Sequence, residues 1–168
     1  MTFFVRTAGA ADLEAISQLL GETWHATYDH IYGPERVSEI TRSWHSVEAL
    51  RPRINRLNSE FLVADDGTRL GGMAYAAATA GDGKMVVLHQ LYVRPGCQRQ
   101  GIGRDLLAEI SECFPTARTL RLEVEEANTP AIDFYRAHGF TQTGSTANCG
   151  CADSGIPAAV YEKKLAAG

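Results

Sequence analysis

Runs of basic residues are missing from this sequence, and its formal net charge is −4. Nucleic-acid surfaces need clustered Lys and Arg, so nothing points to a nucleic-acid partner. No apolar stretch approaches the ~20 residues of a membrane span. The opening Met1-Thr2-Phe3-Phe4-Val5-Arg6 lacks the charged-then-apolar order of a signal peptide. The expectation is a cytoplasmic protein with no membrane partner. Cysteine is sparse, at Cys97, Cys113, Cys149 and Cys151. These positions do not make a secreted disulfide framework. Cys149-Gly150-Cys151 is the one close pair, and no further Cys or His lies near it to complete a metal site. Two free thiols and no metal are expected there. Internal repeats and low-complexity segments are absent too.

What is present begins with an ordinary composition, 45 % hydrophobic and 21 % charged. At 168 residues the chain is long enough for one domain with a substantial core and short for two. A single domain over residues 1–168 is expected.

The chain is organised around the loop Gln98-Arg99-Gln100-Gly101-Ile102-Gly103, followed by Arg104. An apolar stretch from Met85 to Val93 reads as a strand, which Pro95-Gly96 breaks. Ile102, Leu106, Leu107, Ile110, Cys113 and Phe114 then recur at helical spacing. The glycines therefore sit where a strand hands over to a helix. There the first backbone N–H groups lack partners within the helix, and the helix dipole adds partial positive charge. With no Cβ in the way a phosphate can approach the backbone closely. Arg99 and Arg104 add attraction. The reading is a pyrophosphate cradle; the plain alternative is a tight turn needing glycine only for positive φ. Neither G-x-G-x-x-G nor Gly-Lys-Ser/Thr is present.

Around the loop, Phe3, Val5 and Thr7 alternate as a first strand. Asp12 is the expected N-cap of a helix carrying Leu13, Ile16, Leu19, Leu20 and Trp24. A second helix starts at Gly33-Pro34, with Val37, Ile40 and Trp44 on one face. A third covers about Val47 to Leu57, and Pro52 argues for a break in it. Phe61–Ala64, Leu70–Thr79 and Met85–Val93 form an antiparallel meander, with a hairpin at Asp66-Gly67 and a bulge at Gly71-Gly72. Leu120, Leu122 and Val124 point one way on the next strand, and Arg121, Glu123 and Glu125 the other. Asn128 or Thr129 caps a helix through Ile132, Phe134 and Tyr135 that ends at His138-Gly139. Phe140–Thr143 and Ala158–Leu165 are closing strands. Strand–helix–strand around the glycine loop implies a parallel pair within an otherwise antiparallel sheet.

Gln/Arg-x-x-Gly-x-Gly after a strand ending Leu-Tyr-Val-Arg-Pro resembles the acetyl-CoA signature of the GCN5-related N-acetyltransferase (GNAT) superfamily. The segment from Asn128 to Phe140 resembles that family's Asn-x-x-Ala-x-x-Phe/Leu-Tyr-x-x-x-Gly-Phe stretch. The resemblance covers essentially the whole chain and is strongest from Leu88 to Phe140. It implies an α/β (α+β) fold: one GNAT-like domain with a mixed, mostly antiparallel sheet of six or seven strands, a splayed parallel pair, and helices on both faces. Acceptor-side helices fall at about 12–57, the acyl-CoA-binding core at about 61–140 and the closing strands at 140–165. The resemblance implies acetyl-CoA as cosubstrate, no metal, and direct transfer without a covalent enzyme intermediate. The acceptor it implies is a small primary amine, polyamine-like or amino-acid-like. Dimers are common in the family, so a homodimer is compatible with it.

Residue by residue, the resemblance assigns Gln98, Arg99, Gln100, Gly101, Ile102, Gly103 and Arg104 to the diphosphate. Asn128 goes to the pantetheine or phosphate arm, and Tyr135 to the thioester sulfur. Breaking a thioester leaves a thiolate, which a hydroxyl at hydrogen-bond distance can protonate. Leu91, Tyr92 and Val93 contribute backbone: pantetheine fills the gap between splayed strands, and the Val93 N–H faces the acetyl carbonyl. His89 is the first candidate for the base, by position and pKa class, and Glu123 the next, through water. An amine that arrives neutral needs neither. Plain structural roles stand beside these: a partly buried histidine for His89, a cap for Asn128, a core ring for Tyr135. Trp24, Tyr28 and Tyr32, with His30, are the candidate acceptor wall, and Asp29 and Glu35 would attract a cation. Their alternative is a helix face packed on the sheet. Trp-x-x-Thr-Tyr followed by Ile-Tyr-x-Pro-Glu is similar to relatives of polyamine acetyltransferases. Cys97 precedes the loop and should lie away from the thioester end. Two other readings stay open: a non-catalytic acyl-CoA-binding module, and an enzyme acting on a protein amine.

Overall fold

A computed structural model describes residues 2–149 and 154–165. In chain order the elements are β1 Phe4–Thr7, α1 Leu13–Tyr32, α2 Pro34–Trp44, α3 Val47–Leu50, β2 Ser59–Asp65, β3 Leu70–Ala78 and β4 Met85–Val93. They continue with α4 Ile102–Cys113, β5 Thr119–Glu125, α5 Thr129–Ala137, β6 Thr141–Thr146 and β7 Ala158–Lys164. The strands form a seven-stranded, mostly antiparallel sheet in the order β1-β2-β3-β4-β5-β7-β6, with β4 and β5 its parallel pair. Among the described residues no helix is long and apolar enough to cross a membrane. The chain divides into two compact units: Met1–Tyr75 with Gln90–Ile110, and Ala76–His89 with Ser111–Gly168.

In the first unit, β1 pairs antiparallel with β2, from Phe4 opposite Asp65 to Thr7 opposite Leu62. Arg6 ties this edge to the turn before α1, reaching Asp65 at 3.0 Å and Asp12 at 2.8 Å. Asp12 sits at the expected cap position, but its carboxylate accepts no bond from α1. It turns back to the Gly9 N–H at 2.8 Å and closes a 3-10 turn over Ala10–Asp12. Its hydrogen bond to Arg6 holds it below the usual carboxylate range. The apolar stripe of α1 buries Leu13, Ile16, Leu19 and Leu20 against Phe61, Val63, Met73 and Tyr75. At Gly33, with φ of 86°, α1 ends and Pro34 opens α2, as a left-handed residue and a missing N–H require. Val37 of α2 packs with Trp24 and Tyr28. The third helix is shorter than expected. It stops at Leu50, and a 3-10 turn over Arg51–Asn55 succeeds it, because Pro52 cannot supply an α-helical N–H.

Gly71 and Gly72 have a packing reason to be glycine. A Cβ on Gly72 would lie 2.8 Å from Ile102 Cγ2 and 2.8 Å from the Tyr92 carbonyl oxygen. One on Gly71 would lie 2.5 Å from the Phe3 ring and 2.9 Å from Ile102 Cδ1. The two glycines are thus a bed for the first residue of α4. Arg94, just past β4, bonds the Leu70 carbonyl at 2.9 Å with its side chain, donates to the Gly71 carbonyl at 2.8 Å with its N–H, and pairs with Glu22 of α1.

Beneath α2 and α3 runs a buried polar chain. Arg53 donates to Gln90 Oε1, and Gln90 Nε2 lies 3.1 Å from His45 Nδ1. A guanidinium can only donate, so the Gln90 oxygen must face it and the Gln90 NH2 must face the imidazole. His45 Nδ1 is therefore an acceptor and Nε2 carries the proton. Burial, and then the Arg53 charge, pull the His45 pKa down to about 4.

In the second unit, the parallel register runs from Met85 opposite Thr119 to Leu88 opposite Leu122. On its other side β5 pairs with β7 over its full length, from Thr119 opposite Lys164 to Glu125 opposite Ala158. Gly81 and Gly83, both at positive φ, make the turn into β4. Asn128 caps α5 by accepting the Ala131 N–H at 3.3 Å, and Gly139 at φ 91° ends it. β6 is longer than expected. Its sequence Thr-Gln-Thr-Gly-Ser-Thr is exposed almost throughout, so it carries no apolar alternation to announce it.

Gly72→Ala forces a methyl against backbone, and its expected cost is on the order of 2 kcal/mol, seen as a melting temperature several degrees lower. An unchanged melting temperature would contradict the glycine bed. For His45 the folded pKa lies below the unfolded 6.5, so its share of stability is complete above pH 6.5 and lost as pH falls toward 4. That loss approaches about 3 kcal/mol. Denaturant titrations of His45→Gln should show a shallower fall in stability over this window than the parent; parallel curves would refute the buried neutral imidazole.

Candidate active site

The first unit carries the strand end and the glycine loop. Cys97, fully buried, anchors the loop from below, with its N–H bonded to the Arg94 carbonyl at 2.9 Å. Gln98, Arg99 and Gln100 are exposed above it. Arg99 has φ of 65° and Gly101 of 80°. A left-handed arginine is uncommon and marks a loop held in shape by its surroundings. The first intrahelical bond of α4 runs from the Asp105 N–H to the Gly101 carbonyl at 2.9 Å. The amides of Ile102, Gly103 and Arg104 precede that bond. Gly103 is not among the positive-φ residues, so its backbone does not require glycine. What Gly103 provides is a missing Cβ in the first turn, at about 1 kcal/mol of helix stability relative to Ala.

The Arg104 guanidinium folds back over the loop; a Cβ on Gly101 would lie 2.7 Å from it. Ile102 does something the sequence did not reveal: its side chain is buried on Gly71 and Gly72, so only its amide is left for a ligand. Open amides, a missing Cβ and two arginines fit a diphosphate. Leu91, Tyr92 and Val93 are half-buried at the end of β4.

The aromatic group on α1 is packed more tightly than an open wall. Trp24 and Tyr28 are buried, with ring centroids 4.5 Å apart, and Tyr32 alone of the three keeps some surface. Asp29 lies 2.6 Å from His25 on the same helix.

The second unit carries the other candidates. His89 and Glu123 are both exposed, each one residue past the last registered pair Leu88–Leu122. Strand alternation puts both on the face opposite Leu88 and Leu122. The register thus brings together two base candidates found separately in the sequence. Tyr135 is buried on α5, its ring 5.5 Å from that of Phe140. Burial first, and the charge of Glu125 second, push its hydroxyl well above the usual phenol range, so it stays a proton donor. Asn128 is where the sequence placed it, with its carbonyl oxygen spent on the cap.

Glu125 corrects the alternation: it is buried rather than facing out with Arg121 and Glu123. It lies beside Cys149, with Sγ 3.9 Å from its carboxylate. The only signal in the sequence was its place at the strand's last residue, where alternation stops binding. Cys149 is buried, while Cys151 lies outside the described residues. Among the described residues no three His, Cys, Asp or Glu side chains gather as metal ligands would.

A family model for the acetyltransferase (GNAT) domain matches residues 28–165. The spermidine N(1)-acetyltransferase of Thermoplasma acidophilum is 29 % identical over 146 residues, covering 83 % of this chain and 89 % of that protein. A crystal structure of the PaiA N-acetyltransferase of Thermoplasma acidophilum in complex with coenzyme A aligns at TM-score 0.85 and 27 % identity, over 98 % of this chain and 99 % of that one. The ribosomal-protein-S18-alanine N-acetyltransferase of Escherichia coli shares the fold at TM-score 0.72 and 19 % identity, over 97 % of this chain and 94 % of that one. The matched residues span the glycine loop and both parallel-paired strands, and the chain belongs to the GNAT acetyltransferases.

Proposed function

We propose that the enzyme moves an acetyl group from acetyl-CoA to a primary amine of a small molecule, polyamine-like or amino-acid-like, by direct attack. The observation that carries this reading is the start of α4: amides ahead of the first helical bond, beside a Gly103 that conformation does not explain. Those amides, with Gln98, Arg99, Gln100 and Arg104, hold the diphosphate. Asn128 contacts the pantetheine or phosphate arm. The Val93 N–H stabilises the oxyanion as the amine adds to the carbonyl. His89 takes the proton from the amine, with Glu123 or water as its substitute.

Tyr135 then donates to the departing sulfur. Its hydroxyl is held above the ordinary phenol value of 10, and a thiol ionises near 8.5. Full proton transfer to the thiolate therefore runs uphill, and the contribution of Tyr135 is a hydrogen bond that strengthens as charge builds on sulfur. Support for a small amine comes from the likeness to a spermidine acetyltransferase.

The direct test is thiol release from acetyl-CoA across a panel of primary amines. Turnover on at least one supports transfer; coenzyme binding with no turnover on any amine would identify a binding module instead. Tyr135→Phe should lower kcat on the order of 10²-fold with little change in KM for acetyl-CoA, and an unchanged kcat would remove it from the reaction. His89→Ala should flatten the low-pH limb of the kcat/KM profile, and an identical profile would pass the base role to Glu123 or water.

A further inference from the structure

The layer formed by α1, α2, α3 and the turn after them contains a cation with no counter-charge among the described residues. Of the half-buried arginines described, Arg6 is held by Asp12 and Asp65, and Arg94 by Glu22. Arg53 has no such carboxylate. Its one hydrogen bond goes to the neutral Gln90 Oε1, and its guanidinium lies over the Tyr75 ring at 4.8 Å. A second arginine stands at the same ring: Arg56 donates to the hydroxyl of Tyr75 at 3.2 Å. Burial, with Arg56 adding to it, pulls the Arg53 pKa below its ordinary value.

A desolvated, unpaired guanidinium is costly, and proteins normally avoid it. Two further buried donors in this layer lack acceptors among the described residues. The Nε1–H of Trp24 and the Nε2–H of His45 are both buried without a partner. His45 cannot offset this by ionising, because its Nδ1 faces the Gln90 NH2. The Tyr75 ring lies against the Arg53 guanidinium and the Gln90 oxygen takes one of its five N–H groups. That is the geometry in which arginine takes a carboxylate by two parallel hydrogen bonds. Gln90 is three residues before Val93 on β4, about 10 Å along the strand. The anion would therefore sit a short molecule's length from the amide assigned to the acetyl carbonyl.

We propose that Arg53, with Arg56 beside it, binds a carboxylate of the acceptor, so that the amine acetylated here belongs to an amino-acid-like molecule and not to a polyamine. This rests on the transferase reading above and narrows its acceptor class. Beside Arg53 and Arg56, a polycation would bring more positive charge to a spot already held by two guanidiniums.

The test uses the full chain and two acceptors with the same carbon chain and amine, lysine and 1,5-diaminopentane. Expected is a kcat/KM for lysine at least about tenfold the higher, the ~1.4 kcal/mol scale of one charge-assisted hydrogen bond. In Arg53→Gln this preference should vanish through the KM for lysine, with the diamine and the KM for acetyl-CoA little changed. Arg53→Lys should keep part of the preference, and Arg56→Gln should lose part. A parent enzyme that prefers the diamine overturns the proposal. So does equal loss on both acceptors, which marks a structural role, or a change confined to the KM for acetyl-CoA, which assigns the anion to the coenzyme. If neither amine is acetylated, calorimetric binding to the coenzyme A complex decides. Lysine bound more tightly than the diamine, and no longer so in Arg53→Gln, keeps the carboxylate site, and the amine panel decides the transferase reading; equal binding overturns the carboxylate site.

Discussion

The seating of Ile102 on Gly71 and Gly72 is the constraint on which the rest of this structure depends. A helix start can serve as an anion site only if its first amides are fixed and unobstructed. Here the first side chain of α4 goes down into a bed made by two missing Cβ atoms, with contacts too close for any larger residue. The loop above is pinned from below by Cys97 and from the side by Arg94. The chain can then hold Arg99 and Gly101 at positive φ and leave Gly103 without a side chain. Apolar packing, a buried thiol and an ion pair thus combine to present a row of main-chain donors.

The two units contribute different chemistry. The first supplies fixed donors: amides at the loop, and a donor-rich layer around Arg53, Gln90 and His45. The second holds exposed His89 and Glu123 past the last registered parallel pair, and a buried Tyr135 whose hydroxyl resists ionisation. Acyl transfer from a thioester to an amine calls in general for donors and for groups that move protons. Charge develops on oxygen and then on sulfur, and a proton must leave the nitrogen.

Much of this could be read from the letters because it rests on local rules. Gly33-Pro34 punctuates two helices, Asp66-Gly67 turns a hairpin, and the apolar run from Met85 to Val93 is a strand, each fixed by neighbours in sequence. What could not be read depends on distant partners. That Gly71 and Gly72 make room for Ile102 shows only once Ile102 is seen against them. Asp12 looks like a helix cap until Arg6 draws its carboxylate back. Glu125 reads as outward by alternation and is buried, and β6 is polar on both faces and so shows no period. At the site, the glycine loop and Tyr135 stood out by type and spacing. The lack of a carboxylate at Arg53 is a property of its surroundings, which no spacing encodes.

The most direct measurement is a calorimetric titration of coenzyme A into the parent chain and into Gly103→Ala, with a melting curve for each. Alanine favours the helix by about 1 kcal/mol over glycine and places a methyl where the diphosphate should approach. The account predicts saturable heat with the parent, and clearly weaker binding in a variant that melts no lower. No heat with the parent, or equal affinity in the two, would contradict it.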